Sequence, residues 1–150
     1  MATKKKETPL SILKQIRDIL IEARGPVDKR PLEVKSERFI KLPDGWVKDI
    51  QTGLEWGPSS SDSMNWGKAK AHCEKADGRL PTVRELESLI DRKKHNPATD
   101  LPGTKSEWYW TCEDTAWYSC NAWYVVFSHG SVNYDSKDYN YYVRPVRSSQ

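Results

Sequence analysis

The aromatic residues of this chain are unevenly distributed, and their distribution limits where a compact core can form. All seven Tyr lie at or after Tyr109, whereas residues 1–45 contain a single aromatic residue, Phe39. Large aromatic side chains bury much apolar area per residue, so they mark the part of the chain that folds on itself. The sequence therefore predicts an N-terminal helix and connector at residues 1–36, followed by an α+β domain at residues 37–150.

The N-terminal part contains the pattern of one amphipathic helix. Thr8 can cap this helix, Pro9 suits its first position, and Gly25 with Pro26 would end it. Apolar residues recur at steps of three and four and form one stripe along it. The residues of the stripe are Leu10, Leu13, Ile16, Leu20 and Ala23. We expect the stripe either to pack on the domain or to mediate self-association or docking into a larger assembly.

Cap signals predict two short helices inside the domain. Asn65 can cap a helix that begins at Trp66 and ends at Gly78. Thr82 and Glu85 have the spacing of a capping box, in which each side chain satisfies a backbone N–H at the other end of the turn. These helices precede the segment that is richest in aromatic residues.

The remaining third of the domain has the composition of strands. β-branched and aromatic residues predict strands from Trp108 and over 122–128. His129 and Gly130 indicate a turn before a return strand, and the last strand is predicted at 142–147. Helices followed by several short strands favour an α+β fold with segregated elements.

Five ordered blocks of the domain resemble a known family. They are DGWVKDIQTGLEW, NWGKAKAHCEKADGRLPTVRELESLI, WYWT, NAWYVVFSHGSV and YYVRPVR. Over residues 37–147 they resemble the Lcl-type C-terminal domain family. That resemblance implies a C-type-lectin-like fold: two helices packed on short, mainly antiparallel strands. Some members of this family are variable proteins of diversity-generating retroelements, in which a template's asparagine codons are randomised at their adenines.

The stretch 118–142 has the composition that this mechanism would leave. Seventeen of its 25 residues are Asn, Tyr, Ser, Asp, His or Cys, all of which can arise from asparagine codons. The other eight, here called the frame residues, include Trp, which cannot arise in this way. The frame residues are Ala122, Trp123, Val125, Val126, Phe127, Gly130, Val132 and Lys137. Tyr, Ser and Asn also favour exposed loops in general, but the same residues dominate antibody-type binding surfaces.

The sequence thus predicts a ligand- or receptor-binding protein with a diversified recognition surface. The predicted contact residues are Tyr118, Ser119, Cys120, Asn121, His129, Asn133, Tyr134, Asp135, Ser136, Asp138, Tyr139 and Asn140. We assign Trp108, Trp110, Trp123, Val125, Phe127 and Val143 to the scaffold. The alternative is an invariant, calcium-independent domain of the same fold that binds one glycan or protein. Either way, the expected partner is a protein or glycan on a cell surface.

Catalytic and metal-binding patterns do not occur in the sequence. The three His have no metal-ligand spacing, and neither a phosphate loop nor a nucleophile motif is present. We therefore expect no enzyme activity, no metal and no cofactor. The three Cys lack C-x-x-C spacing, which leaves open one disulfide with a free thiol or three buried thiols.

Charge and hydropathy limit the remaining partners. Residues 1–45 hold 11 Lys or Arg against 7 Asp or Glu, but this basic segment has no Trp or Tyr to stack on bases, so we expect no nucleic acid. No apolar run approaches a membrane span, and no apolar segment of a signal peptide follows the basic start. We expect a protein without an export signal that is virion-associated, or cytoplasmic before assembly.

Overall fold

The computed structural model describes residues 8–23 and 37–149. The chain divides into two units, residues 1–36 and 37–150. The first contains helix α1 (Pro9–Ala23). The elements of the second are β1 (Phe39–Lys41), β2 (Val47–Asp49), β3 (Leu54–Trp56), α2 (Trp66–Lys75), α3 (Val83–Glu87), β4 (Trp108–Asp114), β5 (Asn121–Val126), β6 (Ser131–Ser136) and β7 (Val146–Ser148).

Helix α1 begins where the sequence predicts. The Thr8 carbonyl accepts from the amides of Ser11 and Ile12, and Pro9 occupies the first position. The predicted stop at Gly25 and Pro26 lies outside the described residues. Four residues of the apolar stripe are exposed on the helix: Leu10, Leu13, Ile16 and Leu20.

Helix α2 has the predicted N-cap but a different C-terminus. The Asn65 side chain accepts from the Lys68 amide, which confirms the cap. At the C-terminus the left-handed residue is Asp77, with φ 59°, and not Gly78. The Gly78 amide bonds to the Cys73 carbonyl, completing a Schellman motif around Asp77. Position 78 requires glycine because it has no room for a side chain: a Cβ atom there would lie 2.9 Å from the Trp46 ring.

Helix α3 forms half of the predicted capping box. The Glu85 amide donates to Thr82 Oγ1 at 3.1 Å. The Glu85 carboxylate does not return to the Thr82 amide, because both of its oxygens accept from the Arg79 guanidinium at 2.9 and 3.0 Å. A charged donor outcompetes the neutral amide for the carboxylate.

A four-stranded antiparallel sheet, the first sheet, has the order β1-β2-β3-β7. Gly53, with φ 75°, allows the turn between β2 and β3. Arg147 on β7 donates to Glu55 across the sheet at 2.7 Å and to Asp44 at 2.6 Å. The guanidinium of Arg144, three residues earlier, contacts only neutral oxygens.

A second antiparallel sheet has the order β4-β5-β6. Side chains alternate across its strands, and one core cluster packs on each face. Tyr109 and Val125 belong to one cluster, whereas Trp110 and Tyr124 belong to the other. The central strand β5 is therefore covered on both faces, and β6 forms the edge.

The predicted last strand at 142–147 is shorter and later than expected. Strand β7 begins at Val146, after Pro145, which has no amide hydrogen to donate to a ladder. Tyr141 and Tyr142 form only isolated bridges, to Met64 and Tyr109. The α+β prediction is confirmed, and two antiparallel sheets with few helices are compatible with a C-type-lectin-like fold.

Candidate functional site

The predicted contact residues lie at the surface of the second sheet and its loops. Nine of the twelve are exposed, and Asn121, Asp135 and Ser136 are half-buried. They do not form one patch, because the sheet separates them in two ways.

The loop from β4 to β5 carries three of the predicted residues in a fixed conformation, and Asn121 follows it as the first residue of β5. Thr115 is buried, and its Oγ1 donates to the Tyr118 carbonyl at 2.7 Å. The Asn121 amide bonds to the same carbonyl, and the Cys120 carbonyl accepts from the Lys137 amide. These bonds satisfy the loop backbone internally, so the side chains of Tyr118, Ser119 and Cys120 face solvent.

Three aromatic rings pack together beside this loop. Trp123 on β5 lies opposite Tyr134 on β6, and their ring centroids are 5.3 Å apart. Trp117 contacts both rings edge to face, at 6.0 Å from Trp123 and 5.4 Å from Tyr134. Trp117 is 55% exposed and Tyr134 is 40% exposed. The three rings form a raised apolar patch rather than a cage, because their close packing leaves no space between them.

The turn after β6 borders the same region. The Tyr139 amide bonds to the Ser136 carbonyl, and Asn121 lies opposite Ser136 in the sheet. Lys137 holds this turn with an ion pair to Asp114 and with its ammonium 4.2 Å above the Trp66 ring. We call this region the candidate surface. It consists of Trp117, Tyr118, Ser119, Cys120, Asn121, Trp123, Tyr134, Ser136, Asp138 and Tyr139.

Four predicted residues lie elsewhere. His129 lies in the β5–β6 turn, and the six-residue strand β5 separates it from the β4–β5 loop by roughly 20 Å. Asn133 and Asp135 alternate with Tyr134 on β6 and therefore face the opposite side of the sheet. Asn140 lines a cleft on that side with Trp108 and Tyr141. These four residues therefore lie outside the candidate surface, and their role as contacts stays a prediction, because composition does not show the side of a strand.

The scaffold assignments are confirmed for four residues and corrected for two. Trp110, Val125, Phe127 and Val143 are completely buried. Trp108 is 41% exposed, and the half-buried Trp123 contributes to the aromatic patch. Sequence reasoning missed Trp117, although a lone Trp between two predicted strands was a detectable signal.

Asp135 organises the opposite side of the sheet. Its Oδ2 accepts from the Tyr141 hydroxyl at 2.8 Å. Burial and this bond both raise the pKa of Tyr141. Burial and the Asp135 charge also raise the pKa of Tyr124. Both phenols are therefore neutral at physiological pH, and this side of the sheet presents a cluster of aromatic rings with Asp135 bonded to it.

All three cysteines are free thiols in the structure. Cys73 is completely buried, and burial raises the pKa of its thiol to about 12. Cys112 is exposed, but partial burial of its thiol and the charge of Glu113 raise its pKa. Cys120 is exposed in the loop that carries Tyr118. The sequence left open one disulfide with a free thiol or three buried thiols, and the structure has neither arrangement.

This arrangement predicts an order of alkylation. Iodoacetamide at about pH 8 should modify Cys120 first and Cys112 more slowly, and should modify Cys73 only after unfolding, because the thiolate is the reactive form. Mass spectrometry of peptides at increasing times measures the three rates. In urea all three thiols should react at similar rates. Reaction of Cys73 at the rate of Cys120 in the folded protein would contradict its burial.

The described residues contain neither a metal site nor a membrane span. Among residues 8–23 and 37–149, no group of three or more His, Cys, Asp or Glu could hold a metal ion. Within the same ranges, no helix combines the length and the apolarity that a bilayer crossing requires.

An α+β domain that carries an exposed aromatic and polar patch on a packed sheet has the architecture of a ligand-binding module. The chain belongs to the Lcl C-terminal domain family, whose model matches residues 45–147. Membership of this family suggests a ligand-binding variable domain. Neither the curated proteins nor the solved structures contain a match to this chain.

Proposed function

We propose that this protein binds a ligand or receptor through a diversified surface on a C-type-lectin-like scaffold, and that its gene is the target of a diversity-generating retroelement. The observation that carries the proposal is a match between residue type and burial. None of the eight frame residues in 118–142 is exposed. Of the seventeen Asn, Tyr, Ser, Asp, His or Cys residues, ten are exposed and only Tyr124 is buried.

This division is what diversification without loss of the fold requires. Randomising buried residues would create cavities or overpacked sites that cost about 1–5 kcal/mol each. Randomising exposed residues usually changes stability by less than about 0.5 kcal/mol. A general preference of polar residues for the surface does not explain why Tyr is exposed at positions 118, 134 and 139. Exposed Tyr is typical of binding surfaces, where it offers a large and stiff contact area.

The candidate surface combines fixed and variable contributions in this proposal. Trp117 and Trp123 cannot derive from asparagine codons, so they would be constant in every variant. Tyr134 packs against both, and residues 118–120 follow Trp117 in the same loop. Trp and Tyr are the side chains that most often contribute a large share of binding energy at protein interfaces. In such a surface the constant aromatic centre would supply affinity, and the variable residues around it would supply specificity.

The proposed partner is a protein or glycan on a cell surface, bound without catalysis. Exposed aromatic rings suit both, because they stack on apolar faces of sugars and pack into pockets of proteins. Helix α1, with Leu10, Leu13, Ile16 and Leu20 exposed, supports attachment of the protein to a larger assembly such as a virion. We propose no nucleic acid as partner, because the candidate surface itself contains no Lys or Arg.

Sequencing the codons for residues 112–147 tests the retroelement, in this gene across its source population and in any nearby partial copy. The expected result is a copy with AAC or AAT at the seventeen positions, and differences from the gene at adenines only. Variation should concentrate at exposed positions and spare the eight frame residues. Invariant codons and the absence of a copy would refute the proposal and favour a fixed domain that binds one glycan or protein.

A further inference from the structure

A second concave region lies away from the candidate surface. A cleft of about 550 Å³ is formed by the β1–β2 turn, the segment after β3 and the segment that leads into β4. None of the twelve predicted contact residues lines it. Lys105 borders the cleft just before β4 begins, whereas the candidate surface lies where β4 ends. We call this region the cationic cleft, after its three basic residues Lys41, Lys105 and Arg144.

Arg144 brings a buried positive charge to the cationic cleft. Its side chain is almost completely buried, and its guanidinium donates to the carbonyls of Gly57 and Pro102 and to Thr104 Oγ1 at 2.6–2.8 Å. No carboxylate of the described residues lies within ion-pair distance. Burial lowers the pKa of Arg144 to about 10, so the group remains charged at neutral pH. A buried charge without a counter-charge is costly, and the neighbouring neutral oxygens solvate it only in part.

Lys105 and Lys41 add two more positive charges without neutralising partners. The Lys105 ammonium donates to the carbonyls of Ser60 and Ser61 at 2.9 and 2.8 Å, and it lies 4.2 Å from the centre of the Tyr142 ring. The Lys105 ammonium has three N–H donors, so one remains for a ligand. Lys41 is exposed and forms no ion pair within the described part of the chain. No acidic residue lines the cleft.

The other basic residues of the domain behave differently. Arg38 pairs with Asp49, Arg79 with Glu85, and Arg147 with both Asp44 and Glu55. Local folding therefore provides carboxylates for guanidinium groups elsewhere in the domain. In the cationic cleft three cations share one low-dielectric concavity without any carboxylate, which raises the positive potential there.

Beside the basic residues and Ser59, Ser60 and Ser61, the lining contains apolar side chains that determine what kind of anion fits. Leu42, Val47, Pro58 and Pro102 form the walls. A small, strongly hydrated anion would leave these walls in contact with water, whereas an organic acid would cover them. Pockets of this size with an apolar lining and a few polar groups are typical of small-molecule sites.

We propose that the cationic cleft binds an organic carboxylate, with its head group against Lys41 and Lys105 and its apolar body against Leu42, Pro58 and Pro102. Arg144 strengthens the attraction from the base of the cleft. The carboxylate belongs either to a free small acid or to the C-terminus of a peptide. This site is additional to the candidate surface, and a ligand could occupy each one independently.

Isothermal titration with matched acid and amide probes tests the cleft in the full-length protein. The probes are 4-phenylbutyrate and its neutral amide, a Gly-Leu-Phe peptide with a free or amidated C-terminus, and inorganic phosphate. We expect at least one of the two carboxylates to bind and its amide to bind at least tenfold more weakly. Binding of the small acid would identify a free acid as the source, and binding of the peptide alone would identify a chain terminus. Added salt should weaken binding because exposed charges are screened.

Variants of the two lysines distinguish a site in the cleft from nonspecific attraction. Lys41→Gln should weaken carboxylate binding about three- to tenfold and Lys105→Gln about tenfold or more. Lys68→Gln, an equal loss of charge on the exposed face of α2, should change nothing. Arg144 is unsuitable for this test because its replacement removes three internal hydrogen bonds and endangers the fold.

Three outcomes would overturn the proposal. They are equal binding of acids and amides, binding of phosphate alone, and a dissociation constant above about 10 mM for every carboxylate probe. None of these outcomes bears on the proposed function, because the probes and the lysine variants address only the cationic cleft. Every residue of the candidate surface stays unchanged in those variants. The codon test likewise leaves the cationic cleft untouched, so the two proposals fail independently.

Discussion

Replacing Tyr134 and Tyr139 together with alanine is expected to abolish ligand binding and to leave thermal unfolding nearly unchanged. Tyr134 is 40% exposed and Tyr139 is 57% exposed, so neither ring contributes much to the core. Removal of an aromatic side chain from the centre of an interface commonly costs about 2 kcal/mol or more. Two such losses correspond to a decrease in affinity of roughly a thousandfold. The stability cost should be about 1 kcal/mol, from the edge contacts of Tyr134 with Trp117 and Trp123.

The measurement requires a ligand, a control and two readouts. Screening the wild-type protein on immobilised glycans and cell-surface proteins identifies the ligand, and titration then gives the dissociation constants of the variants. Ile50→Ala is the matched control, since Ile50 has 46% exposure and lies outside the second sheet. A shift in Tm of about 3 °C is expected for the double variant. A large loss of stability would assign the two tyrosines to the core, and an unchanged affinity would place the contact surface elsewhere.

Helix boundaries could be predicted from the sequence because they depend on neighbouring residues. Asn65 and Thr82 each bond to an amide three residues further on, and such spacing is visible in the sequence. The left-handed position at Asp77 could not be predicted, because glycine is the more usual residue there. Gly78 is constrained by Trp46 and Pro145, which are far away in sequence and meet it only in the folded domain.

The candidate site could be predicted in part from its composition. The composition of 118–142 separated the frame residues, none of which is exposed, from seventeen residues of which ten are exposed. It could not show that Tyr134 lies opposite Trp123, since that depends on the register of β6 against β5. Nor could the composition show that Trp117 packs against Trp123 and Tyr134, because this contact joins a loop to two strands.

The charge partners of the arginines were the least predictable feature. Arg144 and Arg147 are three residues apart, yet Arg147 meets two carboxylates and Arg144 meets none. An odd separation places their side chains on opposite sides of an extended segment. One points to the first sheet and the other into the cationic cleft. The same motif therefore supplies one arginine that is paired with two carboxylates and one unneutralised charge.

Replacing Arg38 with alanine is expected to cost about 2–4 kcal/mol of unfolding free energy at neutral pH. Asp49 is completely buried, and both of its oxygens accept from the Arg38 guanidinium, at 2.9 and 2.7 Å. The variant leaves this carboxylate buried without its counter-charge. It also removes the bond from Arg38 to the Ser88 carbonyl, which connects β1 to the end of α3.

The pH dependence of this loss separates the ion pair from packing. Burial by itself would raise the pKa of Asp49, but hydrogen bonds from Arg38, the Gln51 amide and Thr52 hold it below its usual value. A depressed pKa contributes stability that is present above about pH 4 and is lost as the pH falls through the folded-state value. In Arg38→Ala the carboxylate should instead bind a proton more readily when folded. The stability difference between the two proteins should therefore shrink at about pH 3.

Urea unfolding at about pH 7 and about pH 3 measures this difference for both proteins. Arg79→Ala is the matched control: its pair with Glu85 has the same two-bond geometry but is half exposed, so its removal should cost less than about 1 kcal/mol. Arg38→Ala/Asp49→Asn should recover part of the loss at neutral pH, because no buried charge remains. If the loss from Arg38→Ala is equal at both pH values, Arg38 acts through Ser88 and packing, and the buried carboxylate is not what makes it indispensable to the domain.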